Sequence, residues 1–287
     1  MILFPNAKIN LGLNVARRRS DGYHDIETLF YPIGWCDVLE VVDGPEGEER
    51  VTLTVTGRSV DCPTERNLVW RAAMAFREAT GSRRPYDIYL HKVIPDGAGL
   101  GGGSSDAAFT LRALNEAEGS PLSSERLAEI AATIGADCAF FIYNRPMAAT
   151  GIGTDLTPVE LSLDNMLVAV VKPEAGVSTA EAYRGVTPAV AESTPAEIVM
   201  NLPPCKWQEV LVNDFERSVF AVRPEIAEVK SRLLAMNPVY CSMSGSGSAV
   251  YALFSADGLT AEELSDRLKA TFPLCATAAG AAGSLNW

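Results

Sequence analysis

Residues 95–108 of the chain read Pro95-Asp96-Gly97-Ala98-Gly99-Leu100-Gly101-Gly102-Gly103-Ser104-Ser105-Asp106-Ala107-Ala108. Five of the seven residues in 97–103 are glycine, and a run typical of a helix, 107–117, follows the two serines. Glycine accepts a positive φ and lets a ligand approach the main chain. A helix that begins after such a loop directs unpaired N–H groups and the positive end of its dipole at that ligand. The stretch therefore indicates a phosphate-binding loop, with a mobile surface turn as the alternative.

Two familiar phosphate-binding patterns do not fit this loop. The glycine spacing over 97–102 matches the dinucleotide fingerprint, which also requires an acidic residue about 20 residues on, after the next strand. In that window the chain has Glu116 and Glu118, which end the same predicted helix. The P-loop requires a Gly-Lys-Ser/Thr ending, yet no lysine lies between Lys92 and Lys172. The loop is therefore of a third kind, in which glycine amides and serine hydroxyls are the donors.

Length and charge restrict the class of protein. The 287 residues suit two domains of ordinary size or one large domain. A formal net charge of −12 argues against nucleic acid or an anionic membrane as a partner. An acidic protein that binds phosphate must create positive potential locally. We expect it from the loop amides, from a lysine such as Lys92 on the predicted strand 86–94, and from Mg²⁺.

We expect a cytoplasmic protein that acts on a small molecule. No apolar run approaches the roughly 20 residues of a membrane span, and residues 1–5 are too short and uncharged for a signal peptide. The six cysteines are scattered without a Cys-x-x-Cys pair. They indicate reduced thiols rather than a zinc site or a disulfide framework. The oligomeric state, monomer or weak homodimer, is left open.

Hydrophobic periodicity predicts alternating strands and helices. The predicted strands are 9–15, 24–33, 38–42, 51–55, 86–94, 166–171 and 249–254, with further strands flanking 151–153 and a weak one at the end of the chain. The predicted helices are 67–80, 107–117, 124–134, 178–184, 207–220, 224–236 and 261–271. Residues 187–204 are expected to be rich in loops, as an excursion or a lid. A domain boundary near residue 160 would divide the chain into 1–160 and 161–287.

Lys8 and Asn10 lie on one face of the first strand, opposite four apolar residues. The alternation by itself favours a solvated polar face. A functional role is the alternative, because Lys8 lies between Ala7 and Ile9 in an otherwise apolar stretch at the start of the sequence.

Asp137 follows the helix stop at Gly135 and precedes the apolar run 138–142. Its carboxylate is either exposed at the start of a strand or partly buried beside a cation. An aspartate next to a lysine could orient a hydroxyl and accept its proton during attack on a γ-phosphate.

The chain has two histidines, too few for most metal clusters and nucleophile schemes. We expect His91 to have a structural role on a strand face. His24 follows Tyr23, and an aromatic ring beside a ring nitrogen suits the binding of a base. A second glycine–serine loop, 242–248, is either a flexible turn or a further substrate-facing loop.

Three segments together resemble the motifs of the galactokinase–homoserine kinase–mevalonate kinase–phosphomevalonate kinase (GHMP) superfamily. They occur in family order: Pro5-Asn6-Ala7-Lys8-Ile9-Asn10-Leu11, the loop 95–108, and Met243-Ser244-Gly245-Ser246-Gly247. Further segments resemble the branch that acts on a cytidine-diphosphate-linked methylerythritol. These are Asp21-Gly22-Tyr23-His24, Glu27-Thr28-Leu29-Phe30, the glycines 101–103, Gly135-Ala136-Asp137 and Asn213-Asp214-Phe215-Glu216.

The resemblance implies an α+β fold of two domains, with the active site in the cleft between them. An N-terminal α/β domain would bind the nucleotide, and the C-terminal domain would be ferredoxin-like. The implied reaction is ATP-dependent phosphorylation of a tertiary 2-hydroxyl in the non-mevalonate route to isoprenoids.

The resemblance also assigns roles to residues. Lys8 and Asp137 would be the catalytic pair, Asn10 would contact the methylerythritol, and Tyr23 with His24 would hold the cytosine. Ser105 is the candidate ligand of Mg²⁺. The ATP-binding residues would be Pro95, Gly97, Gly99, Leu100, Gly101, Gly102, Gly103, Ser104 and Ser105, with Asn67 and Lys92 near the nucleotide.

The chain departs from the family pattern at two places. Cys138-Ala139 follows Asp137 where a small apolar residue and proline are common, and Thr154 follows Gly153 where an acidic residue is common. If that acid helps to hold Mg²⁺, then Asp155, Ser105 or water must replace it.

Two other functions remain open from the sequence. One is a kinase of the same superfamily acting on mevalonate, homoserine or a sugar, against which Tyr23 and His24 argue because a plain polyol needs no aromatic partner. The other is a nucleotide-binding regulator without activity, against which Lys8 and Asp137 argue.

Overall fold

The computed structural model describes residues 1–47, 49–283 and 285. The strands of this part of the chain are β1 (Ile2–Leu3), β2 (Asn6–Arg18), β3 (His24–Cys36), β4 (Val38–Asp43), β5 (Val51–Gly57), β6 (Tyr86–Lys92), β7 (Met147–Thr150), β8 (Asp155–Pro158), β9 (Met166–Lys172), β10 (Tyr240–Met243), β11 (Val250–Ser255) and β12 (Ala276–Ala281). The helices are α1 (Leu68–Thr80), α2 (Gly102–Ala117), α3 (Ser124–Ile134), α4 (Cys138–Tyr143), α5 (Thr179–Arg184), α6 (Pro195–Asn201), α7 (Trp207–Val210), α8 (Phe215–Val222), α9 (Pro224–Leu234) and α10 (Ala261–Thr271). Short 3₁₀ turns occupy Thr64–Arg66 and Pro204–Lys206.

The chain forms two compact units that are discontinuous in sequence. The first unit comprises Met1–Ala7, Cys36–Asp96 and Gly101–Asn144, and the second comprises Lys8–Trp35, Gly97–Leu100 and Arg145–Trp287. The two units are not consecutive segments of the chain, because β3 pairs with β7 and so places β2 and β3 in one sheet with β7 and β8. The boundary near residue 160 stays a prediction.

In the first unit, a four-stranded sheet has the order β1-β4-β6-β5. The β5–β6 pair is parallel, as expected for strands joined through a helix, here α1, and the other pairs are antiparallel. Side chains such as Leu39, Ile88 and Phe76 are almost fully buried. Helices α1 and α2 pack against each other, and α3 and α4 pack beside them.

The second unit contains two sheets. One has the order β2-β3-β7-β8, and the other has the order β10-β11-β9-β12 with antiparallel pairing throughout. In the latter sheet β9 is followed by helices, then by the β10–β11 hairpin, α10 and β12. This β-α-β-β-α-β order with β9 and β11 at the centre is the ferredoxin-like arrangement. The expected C-terminal fold is therefore confirmed.

Several predicted boundaries are confirmed by capping contacts. Helix α1 begins after Asn67, whose side chain accepts a hydrogen bond from Val69 N, and ends at Gly81 with φ 72°. Helix α3 covers the predicted range, with Ser123 as its cap and Gly135 after it. Helix α10 also covers its predicted range, with a capping box of Thr260 and Glu263.

Three predictions about elements were wrong, namely those for the start of the helix after the glycine loop, for the helix 207–220 and for the loop 242–248. The helix after the glycine loop begins at Gly102 rather than at residue 107. The apolar run 138–142 is helix α4, because it packs against α2 and α3 instead of joining a sheet. The loop-rich stretch 187–204 contains α6, the predicted helix 207–220 is interrupted at residues 211–214, and the first two residues of the predicted loop 242–248 belong to β10. Among the described residues, none of the helices is long and apolar enough to cross a bilayer.

Candidate active site

The glycine-rich loop has the backbone conformation that only glycine adopts easily. Gly97, Gly99 and Gly101 have φ values of 58°, 74° and 71°. Gly101 is the residue before α2, and Gly102 and Gly103 form the first turn of that helix. The first N–H groups of a 16-residue helix therefore lie within the glycine run, with no side chain from Gly102 or Gly103 to cover them.

The first half of the loop is anchored to other parts of the second unit. The Leu100 carbonyl accepts a hydrogen bond from Lys8 N at 2.9 Å, and Ala249 N donates to Ala98 O at 3.0 Å. A Cβ on Gly99 would overlap the backbone carbonyl of Ser244. The side chain of Leu100 is buried, so this residue of the predicted ATP set anchors the loop through its side chain and carbonyl.

Lys8 and Asn10 are 3% and 2% exposed, so the interpretation of a solvated polar face was wrong. Lys8 Nζ donates to Asn10 Oδ1 at 2.5 Å and lies 4.9 Å from the centroid of the Phe30 ring. Asn10 Nδ2 donates to Thr28 Oγ1 at 2.9 Å. A buried ammonium held by an amide and an aromatic face is fixed in position, as a phosphoryl-binding cation must be.

Asp137 is half-buried and immediately precedes α4. The neighbouring Cys138 thiol is hydrogen-bonded to Ser104, in the first turn of α2, and burial raises the pKa of Cys138 to about 11. Within the first unit, the segment that carries Asp137 is therefore held against the helix that follows the glycine loop. The neutral thiol of Cys138 contributes no charge there.

Lys92 does not offer a free positive charge. Its ammonium forms buried ion pairs with Asp37 and, at 2.7 Å, with Asp106. Burial lowers the pKa of Lys92, but the two carboxylates outweigh it and the net direction is upward. Asp37 also accepts hydrogen bonds from the N–H groups of Val93 and Ile94, at 2.5 Å and 2.8 Å.

A pocket of about 180 Å³ in the first unit brings Asn67 and Lys92 together with Gly103. Three carboxyl residues, Asp61, Asp96 and Asp106, line the same pocket. Carboxylates repel phosphate, so this pocket suits the base or ribose of a nucleotide better than its phosphates. Asn67 itself caps α1 and is mostly buried.

A larger pocket, of about 750 Å³, lies in the second unit and is lined by Tyr23 and His24. Tyr23 is 64% exposed. The His24 ring stacks on Tyr183, with centroids 4.6 Å apart and planes 18° apart. The Tyr183 ring also makes an edge-to-face contact with Phe215, with centroids 4.8 Å apart and planes at 89°. Three rings around one pocket suit a flat aromatic ligand.

Two residues of these pockets and ion pairs, Tyr183 and Asp37, could not be found from the sequence. Tyr183 lies in α5, which was predicted as a short helix, but its spacing gave no sign that it meets His24 from a distant part of the chain. Asp37 lies between β3 and β4, and its contact with Lys92 depends on the sheet pairing of β4 with β6. His91, expected to be structural, is exposed and lies 3.0 Å from Thr56 Oγ1.

One side-chain oxygen near the glycine loop could hold a divalent cation. Among the described residues, no group of three His, Cys, Asp or Glu side chains is arranged to bind a metal. Ser105 Oγ and Asp106 Oδ1 are buried and have no hydrogen-bond partner in the described part of the chain. Mg²⁺ commonly combines one or two protein oxygens with substrate phosphates and water, so an unpartnered hydroxyl beside the glycine loop fits such an ion.

Comparison with known proteins defines the class. A model of the GHMP kinases N terminal domain matches residues 67–145, and a model of the GHMP kinases C terminal domain matches residues 206–274. The glycine loop lies in the first match and the Ser244 loop in the second. The fold and the loops are thus those of a GHMP kinase.

Curated relatives specify the family further. A 4-diphosphocytidyl-2-C-methyl-D-erythritol kinase of Parabacteroides distasonis is 51% identical, over 88% of this chain and 92% of its own length. The enzyme of the same name from Bacteroides thetaiotaomicron is 46% identical, over 91% and 95%. A crystal structure of 4-(cytidine 5'-diphospho)-2C-methyl-D-erythritol kinase matches with a TM-score of 0.80 and 35% identity, covering 98% of each chain. The chain belongs to the 4-diphosphocytidyl-2-C-methyl-D-erythritol kinase family.

Proposed function

We propose that the protein transfers the γ-phosphoryl group of ATP to the 2-hydroxyl of 4-diphosphocytidyl-2-C-methyl-D-erythritol, a step of the non-mevalonate isoprenoid pathway. The family membership supports the kinase activity. The observation that carries the choice of substrate is the aromatic pocket of Tyr23, His24 and Tyr183. A cytosine ring fits such a pocket by stacking, and its polar edge suits the His24 ring nitrogens.

In this proposal Asp137 orients the substrate hydroxyl and accepts its proton late in the transfer. Removing a proton outright from a tertiary alcohol near pH 7 is unfavourable, and a loose phosphoryl-transfer transition state mainly needs positioning and charge neutralisation. Lys8 stabilises the charge on the transferring phosphoryl oxygens. Asn10, which accepts from the Lys8 ammonium, contacts the methylerythritol hydroxyls.

The glycine loop wraps the ATP phosphates through the free N–H groups at the start of α2, with the hydroxyl of Ser104 as a further donor. Mg²⁺, when bound with ATP, neutralises charge on the phosphate oxygens. Ser105 Oγ is the protein oxygen that we assign to it, on the basis of its burial without a partner. Asn67 and Lys92 line the pocket that takes the base or ribose of ATP.

The protein is expected to act in the cytoplasm. All six cysteines are free thiols. Thiols persist in reducing compartments, whereas oxidising compartments favour disulfides.

The proposal is tested by ADP release with Mg·ATP and, in parallel, the diphosphocytidyl substrate, mevalonate and homoserine. Turnover is expected with the first alone, and mass spectrometry of the product should show one added phosphoryl group. Turnover of mevalonate or homoserine without turnover of the cytidine compound would contradict the assignment. ATP binding without turnover of any of the three would favour a silent nucleotide-binding protein.

A further inference from the structure

The segment 212–216 contains polar side chains that no step of the proposed reaction uses. Asn213 is 3% exposed, and Asp214 and Glu216 are half-buried. This segment interrupts the helix that the sequence predicted over 207–220. Its polar groups contact two other segments of the second unit, β2 and the loop that follows β10.

The first of these contacts is with β2, the strand that carries Asn10. Leu13 N donates to Val212 O at 2.9 Å, and Asp214 N donates to Leu13 O at 2.9 Å. The Asp214 carboxylate then accepts from Val15 N at 2.7 Å. The segment therefore lies alongside β2 as a short parallel bridge and fixes the position of that strand.

The second contact is between the Asn213 amide and the loop after β10. Asn213 Nδ2 donates one hydrogen bond to Met243 O at 2.8 Å and another to Gly245 O at 2.9 Å. Asn213 Oδ1 accepts from Phe215 N at 3.0 Å. Both amide hydrogens and the amide oxygen are thus used, and no other side chain of this size supplies two donors and one acceptor in that arrangement.

Glu216 supports the same loop from its other end. Its Oε1 accepts from Met243 N at 2.8 Å and from Ser242 Oγ at 3.2 Å. Its Oε2 pairs with Lys230 at 2.6 Å. The backbone on both sides of Ser244 is therefore held by charged or amide groups of one short segment.

Ser244 connects this clamped loop with the residues proposed to do the chemistry. Ser244 Oγ donates to Gly99 O at 2.8 Å, in the glycine-rich loop, and accepts from Asn10 N at 3.3 Å. Asn10 Oδ1 in turn accepts from Lys8 Nζ at 2.5 Å. A displacement of Ser244 would therefore move both the phosphate loop and the residue that holds Lys8.

We propose that Asn213 is a positioning residue for phosphoryl transfer. Its amide holds the carbonyls of Met243 and Gly245, and thereby places Ser244 against Asn10 and Gly99. This inference rests on the proposed kinase function. Asn213 has no predicted contact with substrate, so it acts only through the Ser244 loop.

The test is Asn213→Asp, which keeps the size of the side chain and replaces two donors with a carboxylate facing two carbonyl oxygens. We expect kcat at pH 8 to fall by roughly 100-fold, the scale of a small misplacement of reacting groups, with KM for each substrate changed much less.

A carboxylate buried against carbonyls has a raised pKa, and its protonated form regains one donor. The ratio of variant to wild-type kcat should therefore rise as pH falls from 8 to 6, by about 10-fold. The ionisable neighbours are Asp214, Glu216 and Lys230, which both proteins share.

Two further variants keep the test decisive. Asn201→Asp, an exposed change of the same type at the end of α6, should keep wild-type kcat and pH profile. If Asn213→Asp does not fold, Ser244→Ala should lower kcat by a similar factor, because it removes the link to Asn10 and Gly99. A kcat per folded molecule within twofold of wild type in Asn213→Asp, or in Ser244→Ala, would overturn the inference. If the wild-type protein itself transfers no phosphoryl group, the proposed function fails instead.

Discussion

Asp137 carries the strongest mechanistic expectation at the scale of single residues. Asn keeps the size and polarity of the side chain but cannot accept a proton. The variant Asp137→Asn should therefore lose at least about 100-fold in kcat, the usual contribution of a positioned base. ATP binding should persist, since the glycine loop is untouched. Steady-state ADP release and equilibrium titration with an ATP analogue measure the two quantities.

The matched control for this change is Asp266→Asn. Asp266 is a surface residue whose side chain is 71% exposed and paired with Lys269 within α10. Its substitution should leave kcat unchanged. Near-normal turnover in Asp137→Asn would remove this carboxylate from the mechanism, and loss of ATP binding would indicate a structural defect instead.

Tyr183 tests how the cytidine end of the substrate is recognised. Tyr183→Leu removes the ring that stacks on His24 and keeps an apolar contact with Phe215. Stacking on an aromatic side chain is worth about 1–3 kcal/mol per base, so the Kd for CDP should rise by roughly 10-fold or more.

The Kd for an ATP analogue should not change in Tyr183→Leu. Calorimetry with both ligands separates the two effects. Tyr89→Leu, at a half-exposed ring of β6 in the first unit, is the control. Unchanged CDP affinity in Tyr183→Leu and also in His24→Ala would favour a substrate without a base.

At the scale of elements, the glycine loop offers an internal comparison. Gly97 and Gly99 both have positive φ, but a Cβ on Gly97 would meet nothing within 4 Å, whereas one on Gly99 would overlap the Ser244 carbonyl. Gly97→Ala should lose about 1 kcal/mol of stability from its left-handed backbone. Gly99→Ala should lose clearly more, and its kcat/KM for ATP should fall.

Denaturant unfolding and ADP-release kinetics measure these two effects. Because the two alanine variants share the change in φ preference, their difference isolates the close approach of Gly99 to Ser244. Equal stability and equal kcat/KM in the two variants would show that the close contact between Gly99 and the Ser244 carbonyl affects neither folding nor ATP use.

Elements with strong local signals could be predicted from the sequence, and those that depend on distant contacts could not. Helices α3 and α10 have caps and periodic apolar residues within their own ranges, so their limits were predicted correctly. The break between α7 and α8 lies at Asn213, whose partners Met243 and Gly245 are about thirty residues away in the chain. No local sequence pattern predicts such a contact.

The same distinction applies to the candidate site. The glycine loop could be selected because its residue types point to phosphate chemistry, whereas the alternation around Lys8 by itself favoured a solvated polar face and Asp137 kept two interpretations. The burial of these residues and the Lys92 ion pairs depend on the strand order of the sheets, which the sequence does not display. Resemblance to a known family supplied the proposed roles that spacing alone left open.

At the scale of the whole molecule, the buried cluster of Lys92 with Asp37 and Asp106 should make stability depend on pH. Burial, and then the nearby Asp37, raise the pKa of Asp106 to about 8, although Lys92 acts in the opposite direction. Between pH 4 and pH 8 we therefore expect the folded state to keep a proton on Asp106 that the unfolded chain has released, so that the Lys92 ammonium pairs with the Asp37 carboxylate until Asp106 ionises. The contribution of Asp106 to the free energy of unfolding is therefore complete at low pH, and it decreases as the pH rises toward 8.

Asp106→Asn removes this titration without changing the size of the side chain. The free energy of unfolding of the wild type, relative to the variant, should fall between pH 5 and pH 8 by on the order of 1 kcal/mol per pH unit. Urea unfolding across that range measures the difference. Asp87→Asn, at a partly exposed carboxylate of β6, is the control. Parallel pH profiles for wild type and Asp106→Asn would show that Asp106 is ionised throughout.

The net charge of −12 leads to an expectation about substrate capture. The cytidine substrate is an anion, so the protein as a whole repels it, whereas we expect Arg18 and Arg184, which line the aromatic pocket, to attract it. Neither arginine is paired with a carboxylate in the described part of the chain. The Debye length falls from about 30 Å at 0.01 M salt to about 8 Å at 0.15 M. Added salt therefore screens the distant negative charges first and leaves the nearby guanidinium groups effective.

We accordingly expect kcat/KM for the cytidine substrate, at saturating Mg·ATP, to rise by roughly twofold or more as KCl increases from 10 to 150 mM. The rise should be absent from kcat, because charge acts here on encounter rather than on chemistry. Arg184→Gln should lower kcat/KM at 150 mM KCl, where the local charges dominate, while Arg126→Gln on α3 should not. A steady fall of kcat/KM with salt in the wild type would mean that local arginines govern capture even at low ionic strength, and that the acidity of the whole chain is irrelevant to its substrate.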